Sequence, residues 1–369
     1  MPLVPFAWGL RAAGHEVLVT ASANMSTVVT EAGLPFAENT AAVQMPELLS
    51  TDRQGNPVTM PKGELELYRH FGRGYARLAL RMLDGTVRLA ERWQPDLVVS
   101  ETYSFTGPLV AATIGVPWIR HHIRLSSPEV IIEAGAEELR PELDNLGLAT
   151  FLPPKLSLDI CPPSMRPAEG PAVTKMGMVP YNGRIERIPD FVFAPKQRPR
   201  VCLTFGTRVP LPNKKTIPGG LKLLQELMQA LPQAGFEVVV AISDELAETM
   251  RPLPEGVLAA GQLPLSTIMP SCDLVVHHGG YGTTSTSVYL GVPQVVVPVI
   301  AEVWESIRLL AKAGVAIEVP WADASVGTVT EAASTMRDDR SYADNARGVR
   351  DEIAAMPSPA DVVRMLDSL

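Results

Sequence analysis

Residues 272–298 read CDLVVHHGGYGTTSTSVYLGVPQVVVP, an order of residue types that spells strand, glycine turn, helix and second strand. The aliphatic run Leu274–Val276 sits inside a strand expected from Asp273 to His277, and Gly279-Gly280 ends it. A helix is expected from Thr283 to Leu290, with Thr283 or Thr284 as N-cap and with Gly291 and Pro293 as its stop. Gln294–Pro298 is Val-rich, as a strand covered on both faces of a parallel sheet must be. Such a unit leaves backbone N–H groups and the positive end of a helix dipole beside the glycines, at the carboxyl edge of the sheet. That is an anion site. His277 and His278 stand at its lip, and a histidine donating to a phosphate oxygen makes a charge-assisted bond of about 1.5–3 kcal/mol.

The same grammar runs through the second half of the chain. Val201–Phe205 is a strand, followed by Gly206-Thr207-Arg208 and a proline-rich loop; Gly220–Leu231 is a helix, and Phe236–Ile242 and Gly256–Ala260 are strands. Leu265–Met269 is a short helix before the opening stretch. Trp304–Ala313, Thr328–Ala355 and Ala360–Leu369 are helical beyond it, with a strand at Val315–Val319.

The first half alternates likewise but starts differently. Pro2–Ala13 is an amphipathic helix and Glu16–Ala21 a strand, whereas a doubly wound domain begins with a strand, so the first sheet is expected to be one strand short. Residues 40–64 read as a loop, and Phe71–Trp93 as one long helix whose Arg69, Arg73, Arg77 and Arg81 form a solvated stripe. Asp96–Ser100 and Pro117–His121 are strands around a helix at Gly107–Ile114, and the pattern turns irregular past Ser126. Two Rossmann-like α/β domains, 1–186 and 201–340, are therefore expected, with a linker at 187–200 and helices at 341–369 that pack back on the first domain.

Composition narrows the class. At 369 residues with a net charge of -8, the chain has ample core and is poorly suited to nucleic acid. Three cysteines without metal-ligand spacing suggest a reducing cytoplasm, and no apolar run reaches the ~18–20 residues that span a bilayer. No metal or other cofactor is expected. A homodimer is compatible, though no heptad argues for one.

HHGGYGT with GVPQVVVP, preceded by LPEGVLAAGQLPLSTIMPSCDLVV and followed by PVIAEVWESIRLLAKAGV, resembles the donor half of family 1 glycosyltransferases of the GT-B fold. It is most similar to the actinomycete branch that places deoxysugars on polyketide antibiotics. PLVPFAWGLRAAGHEVLV, PDLVVSETYSFTGPLVAATIGVPW and VCLTFGTRVP extend the resemblance over nearly the whole chain. It implies two domains facing across a cleft and an inverting transfer from a nucleoside-diphosphate deoxysugar, with thymidine as the nucleoside, to an aromatic polyketide acceptor. The bond formed is to oxygen or carbon.

By motif position the resemblance assigns His278, Gly280, Gly282 and Thr283 to the diphosphate, and Gly206, Thr207 and Arg208 to the facing strand end. Leu263 falls beside the base, and His277 is structural, as is His15. Glu302 and Val303 replace an Asp-Gln pair that holds sugar hydroxyls, so Val303 is expected to offer an apolar surface to a deoxygenated sugar. Many relatives take a histidine base from a loop that has no counterpart before Met1. Glu101, His121 and His122, at strand carboxyl ends, are the remaining candidates. Tyr103, Phe105, Trp118 and the 40–64 loop are expected to line the acceptor pocket. A GT-B-type epimerase or hydrolase, and a non-catalytic donor-binding helper, remain as alternatives. A dehydrogenase fits less well, because GGYG lacks the GxGxxG register.

Overall fold

The computed structural model describes residues 2–166, 172–183, 188–206 and 219–366. The chain divides into two compact units, one built from 3–161, 172–177 and 357–366, the other from Pro2, 162–166, 178–183, 188–206 and 219–356.

In the N-terminal unit, α1 (Val4–Ala12), β1 (Val19–Ser22), α2 (Ser26–Glu31) and β2 (Phe36–Thr40) lead into α3 (Met45–Ser50) and the 30-residue α4 (Glu64–Trp93). There follow β3 (Val98–Glu101), α5 (Thr106–Ile114), β4 (Trp118–His121), α6 (Glu129–Glu138), α7 (Arg140–Asn145), β5 (Leu156–Asp159) and β6 (Thr174–Lys175). Among the described residues the pairings between these strands are parallel, and the strands form two separate pieces, β1-β2 and β3-β4-β5-β6.

Several expectations are corrected here. The 40–64 segment contains α3, and the stretch past Ser126 folds into α6 and α7. Arg77 is not solvated. It is 6% exposed, its Nε donates to Glu138 Oε1 at 3.0 Å, and its Nη1 donates to the carbonyls of Leu48 and Thr51. The i, i+4 stripe looked uniform, yet α4 is covered along one side by α3 and α6, so one member had to be buried with partners. Tyr103, Phe105 and Trp118 are likewise core residues, 1–2% exposed. Phe105 stacks on Phe151, Tyr103 on Tyr75, and the Trp118 indole N–H donates to the Leu152 carbonyl.

The C-terminal unit is a continuous parallel sheet. Its elements are β7 (Arg200–Thr204), α8 (Gly220–Gln233), β8 (Glu237–Ala241), α9 (Asp244–Thr249), β9 (Val257–Gly261), α10 (Leu265–Ile268), β10 (Leu274–His277) and α11 (Tyr281–Leu290). Then come β11 (Gln294–Val296), α12 (Trp304–Lys312), β12 (Ala316–Glu318), α13 (Val326–Asp338) and α14 (Ser341–Ala354). Among the described residues the strand order is β12-β11-β10-β7-β8-β9. One face packs Val201, Leu203, Val238, Val240 and Val276 against Leu224, Leu227 and Val329, while the other buries Cys202, Val239 and Val275 with Ile268. Period-two alternation with both faces apolar explains the near-continuous hydrophobic runs in the sequence.

The 341–369 stretch is shared between the units. α14 packs on α11, whereas α15 (Pro359–Leu366) belongs to the N-terminal unit and packs on α1, where a Cβ on Gly9 would lie 3.4 Å from Val363 Cγ2.

Candidate functional site

The strand order of the C-terminal unit reverses at β7. From there the chain winds outward through β8 and β9, then returns to lay β10, β11 and β12 on the other side. Ligands of open α/β sheets sit at the carboxyl ends of the strands at such a reversal. Gly206 lies two residues past β7 and His278 directly follows β10, and the parallel register Thr204↔His277 brings the two segments side by side.

The contact is close. A Cβ built on Gly206 would lie 2.6 Å from His278 Cε1, and one on Gly280 would lie 2.7 Å from His278 Nε2. The imidazole is thus seated between two glycines, and Gly206 takes φ +65°, which disfavours a side chain independently of space. Gly280, not Thr283 or Thr284, is the N-cap of α11; the helix begins at Tyr281, two residues earlier than expected, and both threonines are buried within it. The Thr284 amide is bonded to Gly280 O at 3.0 Å, so the amides of Gly282 and Thr283 precede the helical ladder, at the positive end of its dipole. Space is open there, since a Cβ on Gly282 would meet nothing within 4 Å. Leu263, half-buried just past β9, belongs to the cluster packed beneath α10.

His277 is fully buried and structural. Its Nδ1 accepts the Gly279 amide at 3.1 Å, which fixes the proton on Nε2, and Nε2 donates to Gln294 Oε1 at 2.9 Å. Burial, helped by the neighbouring His278, pushes its pKa down to about 3. The ring is therefore neutral and holds the turn. Val303 does not offer a surface to a sugar: it is fully buried, with Cγ2 3.3 Å from where a Cβ on Gly279 would stand. An apolar side chain in a short turn over an apolar floor packs inward. Thr207 and Arg208, and the side chain of Glu302, lie outside the described residues.

Two of the three candidate bases sit level in the N-terminal unit, Glu101 opposite His121 across β3 and β4. His121 is 1% exposed, rests edge-on against Phe6, and donates from Nδ1 to the His122 carbonyl at 2.9 Å. Burial lowers its pKa to about 4. His122 is half-buried between Ser157 Oγ at 2.9 Å and Thr102 Oγ1 at 3.2 Å. Glu101 Oε2 accepts both the Tyr103 amide and Arg124 Nη1 at 3.0 Å. Glu101 also lines a cavity, which His121 and His122 do not. Among the described residues no group of three or more His, Cys, Asp or Glu is placed to hold a metal, and no helix is long and apolar enough to cross a membrane.

Residues 8–206 match the N-terminal domain and 225–369 the C-terminal domain of the erythromycin biosynthesis protein CIII-like family. The chain belongs to that family. It is 36% identical over 366 residues to the L-demethylnoviosyl transferase of Streptomyces niveus, covering 99% of this chain and 93% of the relative. It is 29% identical over 415 residues to the aclacinomycin-T 2-deoxy-L-fucose transferase of Streptomyces galilaeus, with coverages of 99% and 92%. Among solved structures, the Streptomyces sp. SF2575 glycosyltransferase SsfS6 complexed with thymidine diphosphate shares 58% identity at a TM-score of 0.90, covering 100% of this chain and 96% of that one. The protein is a glycosyltransferase of the antibiotic-biosynthesis branch, and its two parallel-sheet units are those of the GT-B fold.

In this CIII-like transferase three supporting residues escaped the sequence reading. Gln294 orients His277, Arg124 pairs with Glu101 and lies 4.6 Å over the Tyr103 ring, and Asn182 bridges the Ser266 amide and Thr286 Oγ1 at 2.9 and 3.0 Å. A polar residue opening the run QVVVP was a signal for the first; the other two contacts span distant segments and left no local trace.

Proposed function

We propose that this transferase moves a deoxysugar from thymidine diphosphate to an aromatic polyketide acceptor, with inversion at the anomeric carbon. The observation that carries the reading is the seating of His278 between Gly206 and Gly280, at the strand-order reversal and beside the N-terminus of α11. Leaving-group charge that develops on a diphosphate oxygen meets the amides of Gly282 and Thr283 and the His278 ring without reorganisation. The acceptor oxygen or carbon attacks the anomeric carbon from the face opposite the diphosphate, the glycosidic bond breaks, and the acceptor proton passes to a base. No metal takes part in this scheme.

Glu101 is the base candidate that the geometry favours, because its Oε1 lies outside the contacts that Oε2 makes with Arg124 and the Tyr103 amide, whereas His121 is 1% exposed. The thymidine diphosphate complex of SsfS6 supports the nucleotide, and the deoxyfucose transferase supports the sugar class. The test is mass spectrometry of products from thymidine-diphosphate deoxysugars with aromatic polyketide acceptors. Glycosylated acceptor with matching nucleotide release supports the proposal. Donor consumption without acceptor makes the protein an epimerase or hydrolase, and binding without turnover makes it a helper.

A further inference from the structure

Asn182 joins two distant turns of the C-terminal unit through its side chain. Its Oδ1 accepts the Ser266 amide at 2.9 Å and its Nδ2 donates to Thr286 Oγ1 at 3.0 Å, partners 84 and 104 positions away. Thr286 is fully buried and passes the contact on, its hydroxyl donating to Gly282 O at 2.7 Å. The threonine hydroxyl thus accepts once and donates once, and both ends of the Asn182 amide are used.

Each end of this bridge fixes a piece of main chain. α10 opens on Pro264, which supplies no side-chain cap, and Pro264 O takes the amides of Thr267 and Ile268. The Ser266 amide needs a partner from outside the helix, and Asn182 is that partner. Leu263 stands two residues before α10, so the turn that carries it is held by the same bond. At the other end, Gly282 O and the Thr283 N–H belong to one planar peptide unit and point opposite ways. A bond that fixes the carbonyl therefore aims the amide, which is one of the two that precede the helical ladder of α11.

We propose that Asn182 is a positioning residue that sets the spacing between the turn carrying Leu263 and the first turn of α11. The inference rests on the reading of these two turns as the base and diphosphate ends of one nucleotide site. A nucleoside diphosphate engages both ends at once, and two weak contacts joined in one ligand reinforce each other only while their spacing matches it. Thymidine alone or pyrophosphate alone engages one end and does not sense the spacing.

The test measures binding of thymidine diphosphate, thymidine and pyrophosphate to the unaltered chain and to Asn182→Ala, Thr286→Val and Thr286→Ser. Asn182→Ala and Thr286→Val are each expected to weaken thymidine diphosphate roughly ten- to thirtyfold, while the two fragments change by less than about twofold. Retained fragment binding shows that each variant is folded. The double variant is expected to bind no more weakly than the weaker single one, because both changes break one bridge. Thr286→Ser keeps the hydroxyl and is expected to bind as the unaltered chain does. Unchanged thymidine diphosphate affinity in both single variants, weakening of all three ligands by one factor, or equal losses in Thr286→Ser and Thr286→Val overturns the proposal. An unaltered chain that binds neither thymidine diphosphate nor its fragments overturns the donor reading as well.

Discussion

The His278 ring occupies the space that a side chain on Gly206 would need, with Cε1 2.6 Å from the position of the missing Cβ. Gly206→Ala must displace the imidazole and also strain a backbone at φ +65°, and Gly280→Ala does the first without the second. Both are expected to lose donor turnover, and Gly206→Ala to lose roughly 1–2 kcal/mol of stability as well. Thymidine diphosphate titration and thermal unfolding of both variants check this, and unaltered nucleotide binding in both would show that the ring position does not matter.

Gly282→Ala separates folding from binding. Its Cβ projects into open space within α11, so alanine is expected to stabilise the helix by about 0.8–1 kcal/mol. The same methyl group stands where the proposed diphosphate sits. A higher melting temperature together with weaker thymidine diphosphate binding is the expected pair of results.

Removing the ring itself tests the charge role. His278→Ala is expected to lower turnover roughly ten- to thousandfold, the range seen when one donor to a developing anion is deleted. Steady-state kinetics with saturating acceptor would show unchanged rates if the ring is a spectator.

Val303→Gln places an amide in a fully buried site beneath Gly279. It is expected to destabilise the fold by about 1–3 kcal/mol and to leave the ranking of donor sugars as it was. A variant that keeps its stability and accepts hydroxylated sugars would return Val303 to the sugar site.

Acid stability follows from two buried histidines. Their native pKa values are depressed, to about 3 for His277 and about 4 for His121, while the unfolded chain titrates near 6.5. The stability they contribute is complete above pH ~6.5. Below that the unfolded chain takes up protons that the native state refuses, and each histidine costs about 1.4 kcal/mol per pH unit until its own native pKa is reached. Urea unfolding at a series of pH values should give a steep loss in this window, and a shallower one in His277→Asn.

The C-terminal sheet was legible because a strand covered on both faces must be apolar throughout, and runs such as VCLTF and QVVVP have no other use in a folded chain. His277, at the end of the LVV run, reads as structural, and Gln294 and Gly279 supply the physical reason by fixing its tautomer. The first half was harder to read for reasons of covering. Arg77 differs from Arg69, Arg73 and Arg81 only in what lies over it, and helical periodicity carries no information about a second helix. The aromatics Tyr103, Phe105 and Trp118 stand next to a candidate site in sequence but point into the core, a distinction that depends on Tyr75, Phe151 and Leu152. The helices at 129–145 were hidden by prolines that in fact sit at or before helix starts, where no amide is needed.

The placement of α15 has a bearing on dissection of the molecule. Its packing on α1, distant in sequence and close through Gly9, means that the chain enters the C-terminal unit and comes back again. A protease nick near Lys196 would leave the last helix still packed on α1. The fragments should therefore co-migrate under native conditions, and a stop codon placed after Met356 should expose the apolar flank of α1 and not yield a neatly shortened enzyme.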